Sequence, residues 1–303
     1  MGILVIGSSN TDLIAKAKSL PKPGETVLGG AFCTAQGGKG ANQAVAAARL
    51  GADVTFMCKV GRDDFGEAAR NGFVKEGIDT RYVLTSETQP SGVALISIDE
   101  NAENCIVVAS GSNAELSCAD VDSIADFGAY DVVLVQLETP METVEHIGQL
   151  AAEKGVKFIL NPAPAAPLSA ELLKTVTVLT PNETEASSIS GVEVVDDESA
   201  VKAAAAIVAM GVDKVIMTLG SRGSLVYDGK NANFVPAYKV NAVDTTAAGD
   251  VFNAGLAVGL SEGRSLVDSV KLATASSAIS VTRLGAQPSA PRRSEIEEFI
   301  KNK

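Results

Sequence analysis

The sequence predicts an α/β protein with a mostly parallel sheet, helices on both faces of that sheet, and a small additional sheet. Apolar, β-rich runs alternate with amphipathic helical patterns along the chain, which is typical of parallel strands joined by crossover helices. The predicted buried strands are Ile3–Ile6, Val54–Val60, Val132–Val135, Phe158–Leu160, Val176–Leu179 and Val215–Leu219. The predicted helices between and after them are Ala44–Leu50, Phe65–Glu76, Met141–Glu153, Ala200–Met210 and Val251–Leu260.

Two stretches break this alternation and predict a separate small sheet. Residues 12–34 contain two prolines and several glycines, and residues 92–109 hold two short apolar runs around a turn at Asn101–Asn104. We expect the two segments to meet as a lid over the carboxyl edge of the main sheet, where ligands of such folds bind. Because no linker, repeat or low-complexity tract divides the chain, we predict one domain, 1–303, that includes both lid segments.

Composition restricts the partners. Hydrophobic residues make up 46% and charged residues 20% of the 303 positions, and the formal net charge is -12. No apolar run reaches the roughly 18 residues that span a bilayer, and the first ten residues lack the basic region of a secretory signal. We therefore expect a cytoplasmic protein without a membrane or nucleic-acid partner, since net negative charge opposes binding to phosphate backbones. The same charge means that a nucleotide site needs a local positive field from helix N-termini, backbone N–H groups or a cation.

Histidine and cysteine usage excludes other chemistries. His146 is the single histidine, which excludes a histidine-cluster metal site and argues against Ser-His-Asp or Cys-His hydrolysis. The four cysteines, none of them in a C-x-x-C pair, are predicted to be reduced.

The most informative motif is Asp244–Asp250, D-T-T-A-A-G-D, which leads into an apolar helix. Small residues at a helix start let an anion approach, and the N–H groups of Ala247, Ala248 and Gly249 could hold a phosphoryl group at the positive end of the helix dipole. Asp250, beside them, could accept the proton of an attacking hydroxyl. A plain N-cap is the alternative, but an N-cap needs only one polar residue.

A second motif, Gly37–Gln43, reads G-G-K-G-A-N-Q and opens a helix. It is not a P-loop, because that motif requires Ser or Thr after the lysine and this chain has Gly40. Glycines ahead of Lys39 and Asn42 instead suit the close approach of a small polar ligand, with both side chains donating to hydroxyls.

Three other segments have two interpretations each. Asn10 and Asp12 could clamp a diol, although a turn after the first strand explains them better when they are taken alone, and the same caution applies to Glu138. Residues 181–185 could order Mg²⁺-bound water and phosphate, or could simply start a helix. Residues 218–223, T-L-G-S-R-G, could let the backbone approach a nucleotide, or could form an ordinary turn.

Together the four motifs G-G-K-G-A-N-Q, N-E-T-E, T-L-G-S-R-G and D-T-T-A-A-G-D, in this order, make the chain similar to the ribokinase-like family of carbohydrate kinases. The resemblance covers essentially the whole chain. It implies a three-layer α/β/α core with a small β-sheet lid, and the ATP-dependent phosphorylation of D-ribose at its 5-hydroxyl. Deoxyribose, fructose or a nucleoside as acceptor, and a non-catalytic sugar sensor, are the alternatives. A Rossmann oxidoreductase is disfavoured by the missing dinucleotide fingerprint.

The resemblance also implies a role for individual residues. Asp250 is expected to be the base, with Ala247, Ala248 and Gly249 as the anion hole. The expected sugar-binding residues, besides Asp250, are Asn10, Asp12, Gly38, Lys39, Asn42 and Glu138. The expected nucleotide-binding residues, with Glu185 acting on Mg²⁺, are Asn182, Glu185, Thr218, Gly220, Ser221, Gly223, Gly249 and Thr274. An activating potassium ion is expected to be bound, largely through backbone oxygens, by Asp244, Thr246, Ser280, Arg283, Gly285 and Ser289.

Thr274 departs from the family pattern, and the small sheet suggests how two copies of the protein assemble. Thr274 stands where these kinases often have an asparagine near the adenine, so the base contacts are less well defined than the phosphate contacts. We expect a homodimer formed through the lids, because Ile96, Ile98 and Val107 belong to a sheet too small to bury both of its faces.

Overall fold

The computed structural model describes residues 2–101 and 103–302. Its strands, in chain order, are β1 Gly2–Ile6, β2 Asn10–Lys16, β3 Phe32–Gly37, β4 Asp53–Val60, β5 Val83–Thr85, β6 Gly92–Ile98, β7 Asn104–Ala109, β8 Val132–Val135, β9 Lys157–Leu160, β10 Val178–Leu179, β11 Lys214–Thr218, β12 Ser224–Tyr227 and β13 Ala232–Val235. Its α-helices are α1 Lys39–Arg49, α2 Asp64–Lys75, α3 Cys118–Asp122, α4 Met141–Lys154, α5 Ala170–Leu173, α6 Glu183–Ser190, α7 Asp197–Ala209, α8 Ala248–Ser261, α9 Leu266–Ser280 and α10 Arg293–Lys301.

Nine strands form the main sheet in the order β13-β12-β11-β10-β9-β8-β1-β4-β5. Neighbouring strands from β11 to β5 are parallel, and β12 runs antiparallel to both of its neighbours. The sheet therefore reverses direction only toward its β13 edge, and the carboxyl ends of β1, β8, β9 and β10 meet along one edge.

Apolar side chains fill both faces of this sheet. Ile3 and Val5 of β1 point into one layer with helices α1, α8 and α9, whereas Leu4 and Ile6 point into the opposite layer with α4 and α7. A strand buried on both faces must be apolar at every position, which is why the parallel strands were visible as continuous hydrophobic runs. The predicted three-layer α/β/α core is confirmed.

Strands β3-β2-β6-β7 form a separate four-stranded sheet, called here the small sheet. Its central pair, β2 and β6, is parallel and its outer pairs are antiparallel. The expected small additional sheet is thus present. The predicted turn at Asn101–Asn104 includes Ala102, which lies outside the described residues.

The main differences from the sequence prediction lie at element boundaries. Helix α1 begins at Lys39, within the motif predicted to open it, and α8 begins at Ala248 instead of Val251, because the small residues Ala248 and Gly249 precede its apolar pattern. The hairpin of β12 and β13 was not predicted, since its outer strand is mostly exposed and carries no apolar run. No helix of the described chain is long and apolar enough to cross a membrane.

Candidate active site

Asp250 lies in the first turn of α8, on the carboxyl edge of the main sheet. The N-cap is Ala247, whose φ of 58° is in the left-handed region, and no side chain caps the helix. The plain N-cap role considered for Asp250 is therefore wrong. A left-handed residue followed by helical ones turns successive N–H groups toward one side, which suits an anion, while Asp250 itself is buried.

Two amide groups hold the Asp250 carboxylate, one on each oxygen. Asn42 Nδ2 donates to Oδ2 and Gln43 Nε2 donates to Oδ1, both at 2.9 Å. Burial raises the pKa of Asp250; the positive charge of Lys39 and the two amide hydrogen bonds lower it, and the charge of Glu138 raises it further. The result is a carboxyl group with a pKa above its ordinary value, as suits a group that accepts a proton during turnover.

The predicted anion hole is only partly free. The N–H of Ala248 donates to the carbonyl of Thr245 at 3.2 Å, so the expectation of three unpaired N–H groups is wrong for Ala248. The N–H of Gly249 has no backbone acceptor among the described residues, and Gly249 is exposed although Asp250 is buried. Asn253 Nδ2 binds the Gly249 carbonyl at 2.9 Å, which fixes this turn from below.

Glycines allow the start of α1 to pack against the turn that follows β1. Gly38 has a φ of 87°, and a Cβ atom there would lie 2.7 Å from the backbone nitrogen of Asn10. A Cβ atom at Gly40 would lie 2.6 Å from the backbone nitrogen of Ser8. Such approaches are impossible for other residues, so the glycines of G-G-K-G-A-N-Q bring Asn42 and Gln43 to Asp250.

The predicted sugar residues lie together between the small sheet and α1. Asn10 and Asp12 are on β2 and point to the same face of it. Burial, followed by the charge of Glu138, raises the pKa of Asp12 to about 6. Glu138 Oε2 accepts from the Ser8 hydroxyl at 2.5 Å and from the Lys39 N–H at 3.0 Å, so it is an ordered acceptor and not merely a solvated side chain.

A cavity of about 390 Å³ adjoins these residues and includes Asn10 and Glu138 in its wall. Asn113 also lines it and holds Asn10 in place, since Asn113 Nδ2 donates to Asn10 Oδ1 at 2.7 Å. The amide nitrogen of Asn10 is thereby the end of the side chain that remains for a ligand.

A larger cavity, of about 900 Å³, borders the first turn of α8, with Ala248 and Gly249 in its wall. Its wall includes seven of the eight predicted nucleotide residues, namely Asn182, Thr218, Gly220, Ser221, Gly223, Gly249 and Thr274. The eighth, Glu185, forms a capping box with Asn182, accepting from its N–H at 2.9 Å. The hydroxyl of Thr274 donates to the Val270 carbonyl within its own helix.

The predicted cation residues meet where the loop before α8 touches the segment after α9. Asp244 accepts from the N–H groups of Thr246 and Gly285, at 2.9 and 2.8 Å. The hydroxyls of Ser280 and Ser289 are 2.7 Å apart. The guanidinium of Arg283 pairs instead with Glu295, at 2.5 Å, so the side chain of Arg283 points away from Asp244.

No group of three or more His, Cys, Asp or Glu side chains suited to a metal occurs in the described chain. Asp244 is the one carboxylate among the predicted cation residues, and its described partners are the N–H groups of Thr246 and Gly285.

Sequence reasoning did not assign roles to four polar residues of this region. Gln43 was quoted within a motif but not as a site residue, and Ser8, Asn113 and Gln136 were not singled out. The available signal was position, because Gln136 is the first residue after β8 and Ser8 the second after β1, at the edge where ligands of such folds bind. Residues 236–240 and 242, which line the larger cavity, have no distinguishing sequence pattern.

Comparison with known proteins decides the family. The profile of the pfkB family carbohydrate kinases matches residues 2–293. The chain belongs to this family. A ribokinase of Haemophilus influenzae is 46% identical over 301 residues, covering 99% of this chain and 98% of the relative. A deoxyribokinase of Salmonella typhimurium is 37% identical over 302 residues, covering 99% of both chains.

Among solved structures, Arabidopsis thaliana ribokinase complexed with ribose and ATP superposes with a TM-score of 0.92 at 31% identity, covering 99% of this chain and 98% of that one. The chain is therefore a carbohydrate kinase with the ribokinase-like fold, as the four motifs predicted.

Proposed function

We propose that this carbohydrate kinase transfers the γ-phosphate of ATP to the 5-hydroxyl of D-ribose, giving ribose 5-phosphate and ADP. The observation that carries the proposal is Asp250, which is buried, held by two amides, and next in the first turn of α8 to Gly249, which lines the larger cavity. Its similarity to ribokinases over nearly all of its length supports ribose as the acceptor.

On the sugar side, Asp12, Glu138 and the free ends of Asn10 and Asn42 would bind the hydroxyl groups. Asn42 Oδ1 is buried without a partner among the described residues, which suits it to accept from a sugar hydroxyl. Asp250 would take the proton of the 5-hydroxyl as its oxygen attacks phosphorus, and would later release it to solvent. Lys39, whose charge lowers the pKa of both Asp250 and Glu185, would lie between the sugar and the phosphates.

On the nucleotide side, the N–H of Gly249 and the positive end of α8 would hold the transferred phosphoryl group. Asn182, Thr218 and residues 220–223 would bind the rest of the nucleotide in the larger cavity. Mg²⁺ carried in by ATP would neutralise phosphate charge, and Glu185 would influence it through ordered water. Potassium at Asp244 would fix the loop that ends at Ala247.

The small sheet would act as a lid and as a dimer interface. Four of its apolar residues, Leu95, Ile106, Val107 and Val108, are each at least half exposed. Leu95 and Val107 are cross-strand partners on one face of the sheet, whereas Ile106 and Val108 lie on its other face. Exposed apolar surface on a sheet marks an interface, and a second copy of the same sheet would cover it. Strands β2 and β6 begin side by side at Asn10 and Gly92, and Asn113 binds Asn10. A shift of the small sheet would therefore move Asn10, which links lid position to sugar binding.

The test is ADP release in a coupled assay across D-ribose, 2-deoxy-D-ribose, D-fructose and adenosine, each at saturating MgATP. Ribose should give the largest kcat/KM. Because a deoxyribokinase is 37% identical to this chain, deoxyribose is the competitor that matters. A larger kcat/KM for deoxyribose would reject the proposed acceptor while leaving the kinase assignment intact, and ADP release without any acceptor dependence would reject sugar phosphorylation.

A further inference from the structure

A hydrogen-bonded network of uncharged polar side chains supports the carboxylate of Asp250. Gln43 Nε2, besides binding Asp250, donates to Asn161 Oδ1 at 3.1 Å, and Gln43 Oε1 accepts from Gln136 Nε2 at 2.6 Å. Gln43 and Gln136 are fully buried. Both Gln136 and Asn161 are the first residue after a strand, of β8 and β9, so the ends of adjacent parallel strands support the carboxylate.

The direction of every bond in this network follows from the one charged member. A carboxylate only accepts hydrogen bonds, so Gln43 must present its NH₂ group to Asp250, which leaves its oxygen facing Gln136. Gln136 must then present its own NH₂ group to Gln43. One ionised carboxylate thus sets the orientation of two successive amides.

Two buried oxygens without hydrogen-bond partners indicate that the neighbouring groups determine the orientations of the Gln136 and Asn42 amides. Gln136 Oε1 and Asn42 Oδ1 are buried and have no hydrogen-bond partner among the described residues. An unpaired buried oxygen costs about 1–3 kcal/mol, but turning either amide over would set its oxygen against an acceptor oxygen, Gln43 Oε1 for Gln136 and Asp250 Oδ2 for Asn42. Gly7 leaves the room that Gln136 occupies, since a Cβ atom on Gly7 would lie 2.1 Å from Gln136 Oε1.

We propose that Gln136 is a positioning residue, which acts through Gln43 to keep the Asp250 carboxylate oriented toward the acceptor hydroxyl and ready to accept a proton. The proposal rests on the proposed function of Asp250 as the base. Gln136 touches neither cavity, so its loss should lower kcat and leave the KM of sugar and of ATP nearly unchanged. The charged groups that act on Asp250 are Lys39, which stabilises the carboxylate, and Glu138, which destabilises it.

The decisive variant is Gln136→Glu. When the new carboxyl group is protonated, its O–H donates to Gln43 Oε1 and the network stays intact. Once it ionises it can only accept, so Gln43 turns its NH₂ group toward position 136 and its oxygen toward Asp250. Activity should therefore fall as pH rises through the pKa of the new group, whereas the parent enzyme gains activity with pH because its base must lose a proton.

The experiment measures kcat from pH 5 to 9 at saturating D-ribose and MgATP for the parent, Gln136→Glu, Gln136→Met and the exposed control Gln149→Glu. We expect a kcat loss of about 10- to 100-fold for Gln136→Glu at high pH that reverses when the same sample returns to low pH. Gln136→Met should lose activity at all pH values, and Gln149→Glu should match the parent.

A Gln136→Glu profile parallel to that of the parent would overturn the proposal, as would a kcat of Gln136→Met within twofold of the parent. The reversal within one sample separates positioning from misfolding. If the parent does not phosphorylate ribose, the proposed acceptor fails, and the same series with the acceptor that it does use still decides the role of Gln136.

Discussion

Replacing Asp250 with asparagine should abolish catalysis without unfolding the protein, because the neighbouring amides of Gln43 and Asn42 can still form hydrogen bonds with the new side chain. Gln43 cannot turn over, because Asn161 and Gln136 fix both of its ends, so its NH₂ group would donate to the oxygen of the new amide. Asn42 can turn over, since its oxygen has no partner among the described residues. Once turned, Asn42 would accept from the new NH₂ group, and every hydrogen bond of the carboxylate would be replaced.

The expected magnitudes follow from this rearrangement. Loss of the base should lower kcat by about 10²- to 10⁴-fold. Turning Asn42 would present a donor to the sugar where an acceptor stood, so the KM for ribose should rise by about two- to tenfold, equivalent to ~0.4–1.4 kcal/mol. The KM for ATP should not change, because Asn42 does not line the larger cavity.

Unlike kcat, the thermal stability of the protein should not fall in Asp250→Asn. Burial raises the pKa of Asp250 in the folded protein, so the protonated form is favoured on folding and that contribution to stability is lost as pH rises through the folded pKa. A neutral amide carries no such cost at pH 7. The unfolding midpoint of Asp250→Asn should therefore equal or exceed that of the parent.

Coupled ADP release gives kcat and both KM values, and thermal unfolding followed by circular dichroism gives the midpoint. Turnover within a few-fold of the parent would show that another group is the base. A lower unfolding midpoint would refute the rearrangement of Asn42, even if turnover were lost.

Three other predictions test the remaining parts of the site. Because the pKa of Asp12 is raised to about 6, kcat/KM for ribose should rise as pH passes through 6, and Asp12→Asn should remove that limb of the profile; an unchanged limb would assign it elsewhere. Potassium should raise kcat at saturating substrates more than sodium or a bulky organic cation at constant ionic strength, and equal rates in all three would leave Asp244 and residues 280–289 a structural role only. The parent should have a dimeric mass by light scattering at micromolar concentration and Val107→Glu a monomeric one, whereas a monomeric parent would reject the lid interface.

Sequence alone predicted those features that depend on local patterns. The buried parallel strands were recognisable because burial on both faces leaves continuous apolar runs, and Asp250 was recognisable because small residues precede it at a helix start. The start of α8 was placed too late because Ala248 and Gly249 carry no amphipathic signal. The N–H group of Ala248 was predicted to be available to an anion, but it donates to the Thr245 carbonyl. That hydrogen bond depends on the geometry of the turn, which the local sequence pattern does not show.

The polar network that supports Asp250 lay beyond sequence reasoning for a different reason. Gln43 and Asp250 are 207 residues apart, and Gln136 and Gln43 are 93 apart. A buried glutamine after a strand resembles a solvated one in sequence, and only the meeting of strand ends at one sheet edge shows that these amides share a partner. Gln136 and Asn161 each directly follow a parallel strand, and this position is the signal that could have identified them as candidate site residues.

The protein has a net charge of -12 and would bind an anionic phosphate next to the carboxylate of Asp250, and the geometry of α8 reduces the repulsion between these two groups. A base and an anion hole must be adjacent for phosphoryl transfer, yet a carboxylate beside a phosphate raises the energy of both. Here consecutive residues of one helical turn face different partners: Gly249 lines the larger cavity, whereas Asp250 accepts hydrogen bonds from Asn42 and Gln43 of α1. Successive residues on a helix are about 100° apart, so the two amides take up the negative charge on the side away from the phosphate. The sugar hydroxyl can then approach phosphorus between the two groups, with the positive end of the helix facing the anion.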